Sequence, residues 1–286
     1  VNEIGCIGLG LLGSALSERL TAAGWTVRGF DIEAERRSEH ASRGGISVES
    51  ACAAAESDVL LLSLPTSDIV ESVLGGLAGS LTHGQTIIDT TTGAPETVER
   101  LGRRLAERGI DYLDATVGGS SEQARHGDAI IMCGGESSPF ERNRELFDAL
   151  AKQTFYLGPS GSGSRMKLVL NLVLGLNRAV LGEGLAFARA CGIDESVALD
   201  ILRAGPSWSK VMDTKGEKML TGDFEPQARL AQHLKDVRLI LEAGRQSNAM
   251  LPLSKLHEQL LDELVQAGYG DLDNSAVIRA FKPSDV

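Results

Sequence analysis

The stretch Ile4-Gly5-Cys6-Ile7-Gly8-Leu9-Gly10-Leu11-Leu12-Gly13 decides the fold. An aliphatic run ends in three glycines spaced Gly-x-Gly-x-x-Gly, and from residue 13 to residue 23 the pattern changes to a helical period. A strand that feeds a helix through such a turn serves three needs. One glycine makes the tight turn, one admits a pyrophosphate to the backbone, and one lets helix and strand pack closely. A second aliphatic run, over residues 26–31, ends in Asp31, about 20 residues beyond the glycines, where a carboxylate can take the hydroxyls of a ribose. Gly8, Leu9, Gly10, Leu11, Leu12, Gly13 and Asp31 are therefore expected to hold a dinucleotide. Asp31 repels a 2′-phosphate and Ile32 offers no guanidinium, which favours NAD, while Arg36 and Arg37 keep NADP open. Capping a helix over residues 33–43 is a second, compatible use for the same carboxylate.

Outward from this segment the alternation continues to about residue 157. Strand-like runs over 4–9, 26–31, 59–64, 86–89, 111–114 and 129–133 alternate with amphipathic segments over 13–23, 33–43, 48–54, 67–75, 95–108 and 139–150. That pattern predicts parallel strands with crossover helices on both faces of a sheet. Leu64-Pro65-Thr66 and Asp89-Thr90-Thr91-Thr92 fall at strand ends on the carboxyl edge, where ligands bind in this architecture; strand-end turn chemistry is the other reading of the same residues. Strand signals stop at Gly158-Pro159-Ser160-Gly161-Ser162-Gly163, and a helix from 164 to about 191 would be ~40 Å long. On it Gly175, Gly182 and Gly184 ask for close approach of a neighbouring backbone. The expected architecture is an α/β Rossmann-type N-terminal domain over 1–160 and an all-α C-terminal domain over 161–286, joined by a long interdomain helix.

Composition narrows the function. The 286 residues suit two domains at ~100–200 each, and 42% hydrophobic with 23% charged residues excludes a disordered chain. Aromatics at 4% predict an aliphatic core and leave little for base-stacking platforms. A formal charge of −11 repels nucleic acid and anionic membranes, so a small anion needs a local positive site. Cys6, Cys52, Cys133 and Cys191 form no Cys-x-x-Cys pair, which suits buried, reduced thiols in a cytoplasm. The histidines show no metal-ligand spacing, so no metal is expected. The N-terminus enters a strand at once without a signal-peptide pattern. The apolar run over 168–181, interrupted by Asn171, Asn177 and Arg178, is read as a buried helix short of the ~20 apolar residues of a membrane span.

Hydride exchange at an alcohol or carbonyl carbon needs a proton donor and acceptor beside the oxygen. No histidine is well placed, whereas Lys167 begins the long helix right after the glycine-rich linker, with Asn171 four residues on along the same face. A lysine at a helix start is by default a solvated surface group; its flanks single this one out. Residues 8–13, Asp114-Ala115-Thr116-Val117-Gly118-Gly119-Ser120, Gly161-x-Gly163-x-x-x-Lys167 with Asn171, Lys235-Asp236, and Gly270-Asp271-Leu272-Asp273-Asn274-Ser275-Ala276-Val277 together resemble the β-hydroxyacid dehydrogenase family. That family includes 3-hydroxyisobutyrate dehydrogenases, tartronate semialdehyde (2-hydroxy-3-oxopropionate) reductases and glyoxylate/succinic semialdehyde reductases. The resemblance covers essentially the whole chain, in the family's order and spacing.

The resemblance implies an NAD(P)-dependent interconversion of a small β-hydroxy acid and its semialdehyde, commonly in homodimers or homotetramers. It gives Lys167 the general acid/base role and Asn171 that of orienting the substrate. Leu64, Pro65, Thr66 and Thr92 become cofactor contacts, Lys235 reaches the cofactor from the helical domain, and Asp236 supports that lysine. The backbone N–H groups of Gly118, Gly119 and Ser120 can cradle the substrate carboxylate, since glycines let an anion come close. The chain departs from the family at Thr116 and Gly118, where Pro and Ser are usual, leaving Ser120 or Ser121 to supply the hydroxyl. It departs again at Leu170-Asn171, where Asn-Asn is usual, and at Ala228, where many members carry an aromatic. Oxidation of a hydroxyisobutyrate-like acid and reduction of a small semialdehyde both stay open. An imine reductase usually has another residue at the lysine position, and a non-catalytic dehydrogenase-fold scaffold is expected to lose that lysine or to add a recognition module.

Overall fold

In the computed structural model the described residues are 2–281; residue 1 and residues 282–286, which the expected domain limits take in, lie outside them. The chain divides into two compact units, one running to Lys167 and the other starting at Leu168.

The first unit opens with β1 (Glu3–Ile7), the glycine turn and α1 (Leu11–Ala22). Alternation follows through β2 (Thr26–Phe30), α2 (Ala34–Ser42), β3 (Ile46–Ser47), α3 (Ala51–Ala54), β4 (Val59–Leu62), α4 (Ser67–Gly76), β5 (Thr86–Asp89), α5 (Pro95–Ala106) and β6 (Asp111–Gly118). Then come α6 (Ser121–Arg125), β7 (Ile130–Gly134), α7 (Ser137–Arg142), α8 (Arg144–Leu150) and β8 (Gln153–Tyr156). The eight-stranded sheet has the order β3-β2-β1-β4-β5-β6-β7-β8, so the strand order reverses beside β1, next to the glycine turn. Successive residues of the central strands feed opposite faces. Leu61 and Ile88 join Ile4, Cys6, Leu16 and Leu20 in one aliphatic core, while Leu60, Leu62 and Ile87 join Ile7, Val70, Leu74 and Leu101 in the other. Each fully buried Leu or Ile contributes about 1.5–3 kcal/mol, which is why these strands read as unbroken aliphatic runs.

Several expectations need correction. β7 pairs antiparallel with β6, not parallel. The link between them holds only the five-residue α6, too little chain for a parallel crossover of about a dozen residues or more with a helix. β3 and β8 are additions to the expected strands: the first is two residues long, and the second is an edge strand, Gln-Thr-Phe-Tyr, too exposed to show a core pattern. The helix expected over 48–54 begins only at Ala51, after Ser50 caps it by accepting the Ala53 N–H. The helix expected over 139–150 is two helices, parted at Asn143, whose side chain donates to the Pro139 carbonyl at 2.8 Å. Nor is the core purely aliphatic, because Phe140 stacks within 5.3 Å of Phe147 and 5.0 Å of Tyr156. Cys6 and Cys133 are buried as expected, but Cys52 and Cys191 are exposed.

α9 (Ser162–Ala190) begins in the first unit and continues into the second, where α10 (Glu195–Ala204), α11 (Lys210–Thr221), α12 (Leu230–Gln246) and α13 (Pro252–Leu264) follow. With a mean hydropathy of 1.4 over its apolar window, α9 is long and apolar enough to cross a membrane by length and composition alone, contrary to the expectation that it falls short. Its buried residues Ala179, Leu181 and Leu185 instead join Leu199, Leu234, Val237 and Leu261 in the core of the helical unit. Val169, Val173, Val180 and Phe187 form an exposed apolar stripe. Of its three interior glycines, Gly175 and Gly182 are close-packed, against His233 and Ile278, while Gly184 has open space. Asp273 anchors this unit. Its carboxylate holds Lys215 Nζ at 2.9 Å from both oxygens and accepts the Gln227, Ala228 and Ser275 N–H groups. Burial pushes that carboxyl up, but the hydrogen bonds from Lys215 and Ser275 outweigh it and hold the pKa at about 2.

Candidate active site

The three glycines of the turn divide the labour as their spacing predicts. Gly8 has φ +94°, and a Cβ there would stand 2.2 Å from the Ser63 carbonyl oxygen. A Cβ on Gly13 would stand 1.9 Å from the Gly8 carbonyl oxygen, so Gly13 seats α1 on β1. Gly10 is open instead: the nearest atom to an added Cβ is Arg36 Nη1, at 3.8 Å. Gly10 also starts α1, whose first turn has no side-chain cap and no acidic residue, so the positive end of the helix faces that opening. Leu9 is buried, Leu12 packs on the core and Leu11 projects outward. This geometry fits the pyrophosphate of a dinucleotide.

Asp31, only 6% exposed, is locked to the turn. Its Oδ2 accepts the Leu9 N–H at 2.8 Å and its Oδ1 accepts the Glu33 N–H at 2.9 Å, so it organises the turn as well as the start of α2. The two arginines that kept NADP open part company. Arg37 is committed to the Asp31 carbonyl at 2.7 Å and lies over the Phe30 ring, whereas Arg36 stands 3.5 Å from the Asp31 carboxylate beside Gly10. Ile32, 86% exposed, is a bare apolar surface beside the Asp31 carboxylate, suited to an adenine face. The sequence holds a signal for it, a large aliphatic residue where the strand has already ended.

The ends of β4 and β5 are tied together. Thr90 Oγ1 donates to the Leu62 carbonyl at 2.8 Å, and the Leu64 N–H donates to Thr91 Oγ1 at 3.1 Å. Thr66 caps α4 by accepting the Ile69 N–H, so turn chemistry accounts for its hydroxyl. Pro65 is exposed and Thr92 half-buried on the same edge.

Lys167 Nζ donates to the Val117 carbonyl at 2.6 Å, which puts the ammonium at the end of β6, beside Gly118 and Gly119. The first turn of α9 is seated on β6 by Asp114, whose carboxylate accepts the Gly161 N–H at 2.9 Å and the Ser164 N–H at 2.8 Å. Burial pushes the Asp114 carboxyl up to about 6 against those hydrogen bonds. Thr116, in the usual proline position, donates its hydroxyl to the Gly163 carbonyl at 3.0 Å and adds to the same seat. Gly119 has φ +151°, a conformation only glycine adopts readily. Ser120 is engaged locally: its hydroxyl accepts the Gln123 N–H, keeping its own proton to donate, and its N–H goes to Gln123 Oε1, a capping box that starts α6.

In the second unit, Asn171 Nδ2 donates to Asp236 Oδ2 at 3.1 Å. Asp236 thus supports Asn171 as well as standing 3.8 Å from Lys235, its expected partner. The 65 residues between Asn171 and Asp236 hide that pairing from sequence reasoning. Among the described residues no cluster of three metal-ligating side chains occurs.

Residues 3–158 match the family described as the NAD binding domain of 6-phosphogluconate dehydrogenase, and residues 161–281 that described as the NAD-binding region of NADP-dependent 3-hydroxyisobutyrate dehydrogenase. Fold, glycine turn and these matches define a nicotinamide-dependent oxidoreductase. Over 98% of its length the chain is 33% identical to a 2-(hydroxymethyl)glutarate dehydrogenase of Eubacterium barkeri, covering 95% of that protein. It is 32% identical to a 2-hydroxy-3-oxopropionate reductase of Escherichia coli strain K12, with 98% of this chain and 97% of that one covered. The structure of a Mycobacterium tuberculosis 3-hydroxyisobutyrate dehydrogenase with L-serine superposes with a TM-score of 0.90 at 26% identity, covering 99% of this chain and 100% of that one. The chain belongs to the β-hydroxyacid dehydrogenase family.

Proposed function

We propose that this enzyme interconverts a small β-hydroxy acid, of the 3-hydroxyisobutyrate type, and its semialdehyde, using NAD and Lys167 as general acid and base. The observation that carries the reading is the 2.6 Å hydrogen bond from Lys167 Nζ to Val117, which holds the amine next to the Gly118-Gly119 turn. The backbone of that turn binds the substrate carboxylate. Asn171 gives one Nδ2–H to Asp236 and keeps the other to donate to the oxygen of the substrate hydroxyl. Bound nicotinamide supplies the hydride acceptor or donor. In oxidation the neutral Lys167 amine takes the hydroxyl proton; in reduction its ammonium returns one, and the Val117 carbonyl keeps the nitrogen oriented in both states. In this reading residues 1–160 are the cofactor-binding domain and residues 161–286 the helical substrate domain.

Two observations support finer points. Arg36, exposed beside Asp31 and Gly10, favours NADP as the second reading of the cofactor. The stripe of Val169, Val173, Val180 and Phe187 supports association of identical chains. The test is a panel of small β-hydroxy acids and semialdehydes assayed with NAD(H) and NADP(H), alongside Lys167→Ala. Loss of a positioned acid/base should lower kcat by about 100- to 10,000-fold with dinucleotide affinity retained. Wild-type turnover in the variant overturns the mechanism.

A further inference from the structure

Among the buried polar atoms of the helical unit with no hydrogen-bond partner in the described residues are Arg178 Nη1, His233 Nε2 and His257 Nε2. They come from α9, α12 and α13, and their residues are 9%, 6% and 3% exposed. They are neighbours. The two imidazole rings lie 5.1 Å apart, and both crowd Gly175, where an added Cβ would stand 2.5 Å from His233 Nε2 and 2.9 Å from His257 Cε1. Gly175 is one helical turn before Arg178 on α9. The guanidinium is close enough to both rings for its charge to depress their basicity, after burial itself, so both imidazoles are neutral at neutral pH.

The guanidinium has no carboxylate of its own. Asp273 is spent on Lys215, with both oxygens at 2.9 Å from Nζ, while Asp236 accepts from Asn171 through Oδ2 and stands 3.8 Å from Lys235 through Oδ1. Among the described residues no ion pair includes Arg178, and burial pushes its pKa down to about 10 in spite of the more distant charges of Asp273 and Asp236. A buried cation with an idle N–H, next to two neutral imidazoles that can each present Nε2–H, is a set of donors. A metal cation would face the fixed charge of Arg178, whereas one small anion would accept from the donors and balance that charge. Both rings are packed tightly on Gly175, so an anion that joins them has to be small.

We infer that Arg178, His233 and His257 form a buried site for one small monovalent anion, of chloride size, in the core of the helical unit. The site lies one turn beyond the Asn171–Asp236 hydrogen bond along both helices: Gly175 follows Asn171 on α9, and His233 precedes Asp236 on α12. Occupancy therefore braces the contact that holds Asn171.

The test needs no substrate, so it fails or succeeds separately from the assigned activity. Thermal unfolding of the full chain is followed at constant ionic strength while sodium gluconate is replaced by sodium chloride up to about 200 mM. A saturable rise of about 4 °C or more is expected, since an anion that binds only the folded state stabilises it by mass action. Crystals grown in bromide should show an anomalous peak within about 3.5 Å of Arg178 Nη1. Arg178→Met should abolish the chloride dependence; if that variant does not fold, the two measurements on the unaltered protein decide the matter. Equal melting temperatures in chloride and gluconate, or density at the cluster explained by water alone, would overturn the proposal.

Discussion

Replacing Asp31 by asparagine tests the cofactor half of the site without any knowledge of the substrate. The new side chain can still accept one of the two amides that Asp31 now accepts, from Leu9 at 2.8 Å and Glu33 at 2.9 Å, so the turn loses about one hydrogen bond and 1 kcal/mol. For NAD the loss is larger. A carboxylate's charged hydrogen bonds to ribose hydroxyls contribute about 1.5–3 kcal/mol, so affinity should fall about 10- to 150-fold. For NADP the sign reverses. At about 5 Å in water-like surroundings a carboxylate and a 2′-phosphate repel by about 1.5 kcal/mol, and a lower local dielectric raises that figure. Removing the charge also frees Arg36 Nη1, now 3.5 Å away, to meet the phosphate, while Nη2 stays paired with Glu33 at 3.1 Å. The ratio of NADP to NAD affinity should therefore rise about 100-fold or more. Fluorescence titration with NADH and NADPH at fixed ionic strength measures both constants. Equal weakening of the two would mean that the substitution merely damages the turn, and unchanged constants would mean that the carboxylate does not meet the ribose; either outcome refutes the reasoning.

Two further expectations concern the helical unit. Asp273→Asn should cost about 3–5 kcal/mol in urea unfolding at pH 7, because it leaves the Lys215 ammonium buried without its partner. The depressed pKa of about 2 alone accounts for about 2 kcal/mol of this, present above the ordinary carboxylate range and lost as pH falls through 2. His257, held at about 4 by burial and the Arg178 charge, stays neutral when folded but charges near 6.5 when unfolded, so the unit should lose about 3 kcal/mol as pH falls from 6.5 to 4. Asp114 acts with the opposite sign in the first unit, since a carboxyl raised to about 6 favours folding as pH falls toward 4. Trp25→Phe leaves Trp208 to report the second unit, and Trp208→Phe leaves Trp25 to report the first. Parallel loss at both reporters would contradict these assignments.

What can be read from the sequence is whatever a few adjacent residues impose on one another. The glycines at 8, 10 and 13 are legible because each answers a contact within the same turn: the positive φ of Gly8, the opening at Gly10, the 1.9 Å approach at Gly13. The capping box of Ser120 and Gln123 is equally local, and its Ser-x-x-Gln spacing is the signal for it. Edge strand β8 is not legible because a strand that buries little carries no period. The direction of β7 depends on counting the chain between strands rather than on the strand itself. Asn171 and Asp236, or Arg178 with two histidines from other helices, escape for a different reason. Nothing in the spacing of single polar residues along amphipathic helices distinguishes a buried one from a solvated one, and only the packed tertiary structure shows which donors have been taken out of water. The glycine turn therefore follows from local pattern, whereas Lys167 stands out only through the resemblance of its flanking motifs. Long-range contacts such as the α9–α12 layer that holds Asn171 come on top of the departures at Thr116, Gly118, Leu170 and Ala228 that the sequence itself displays.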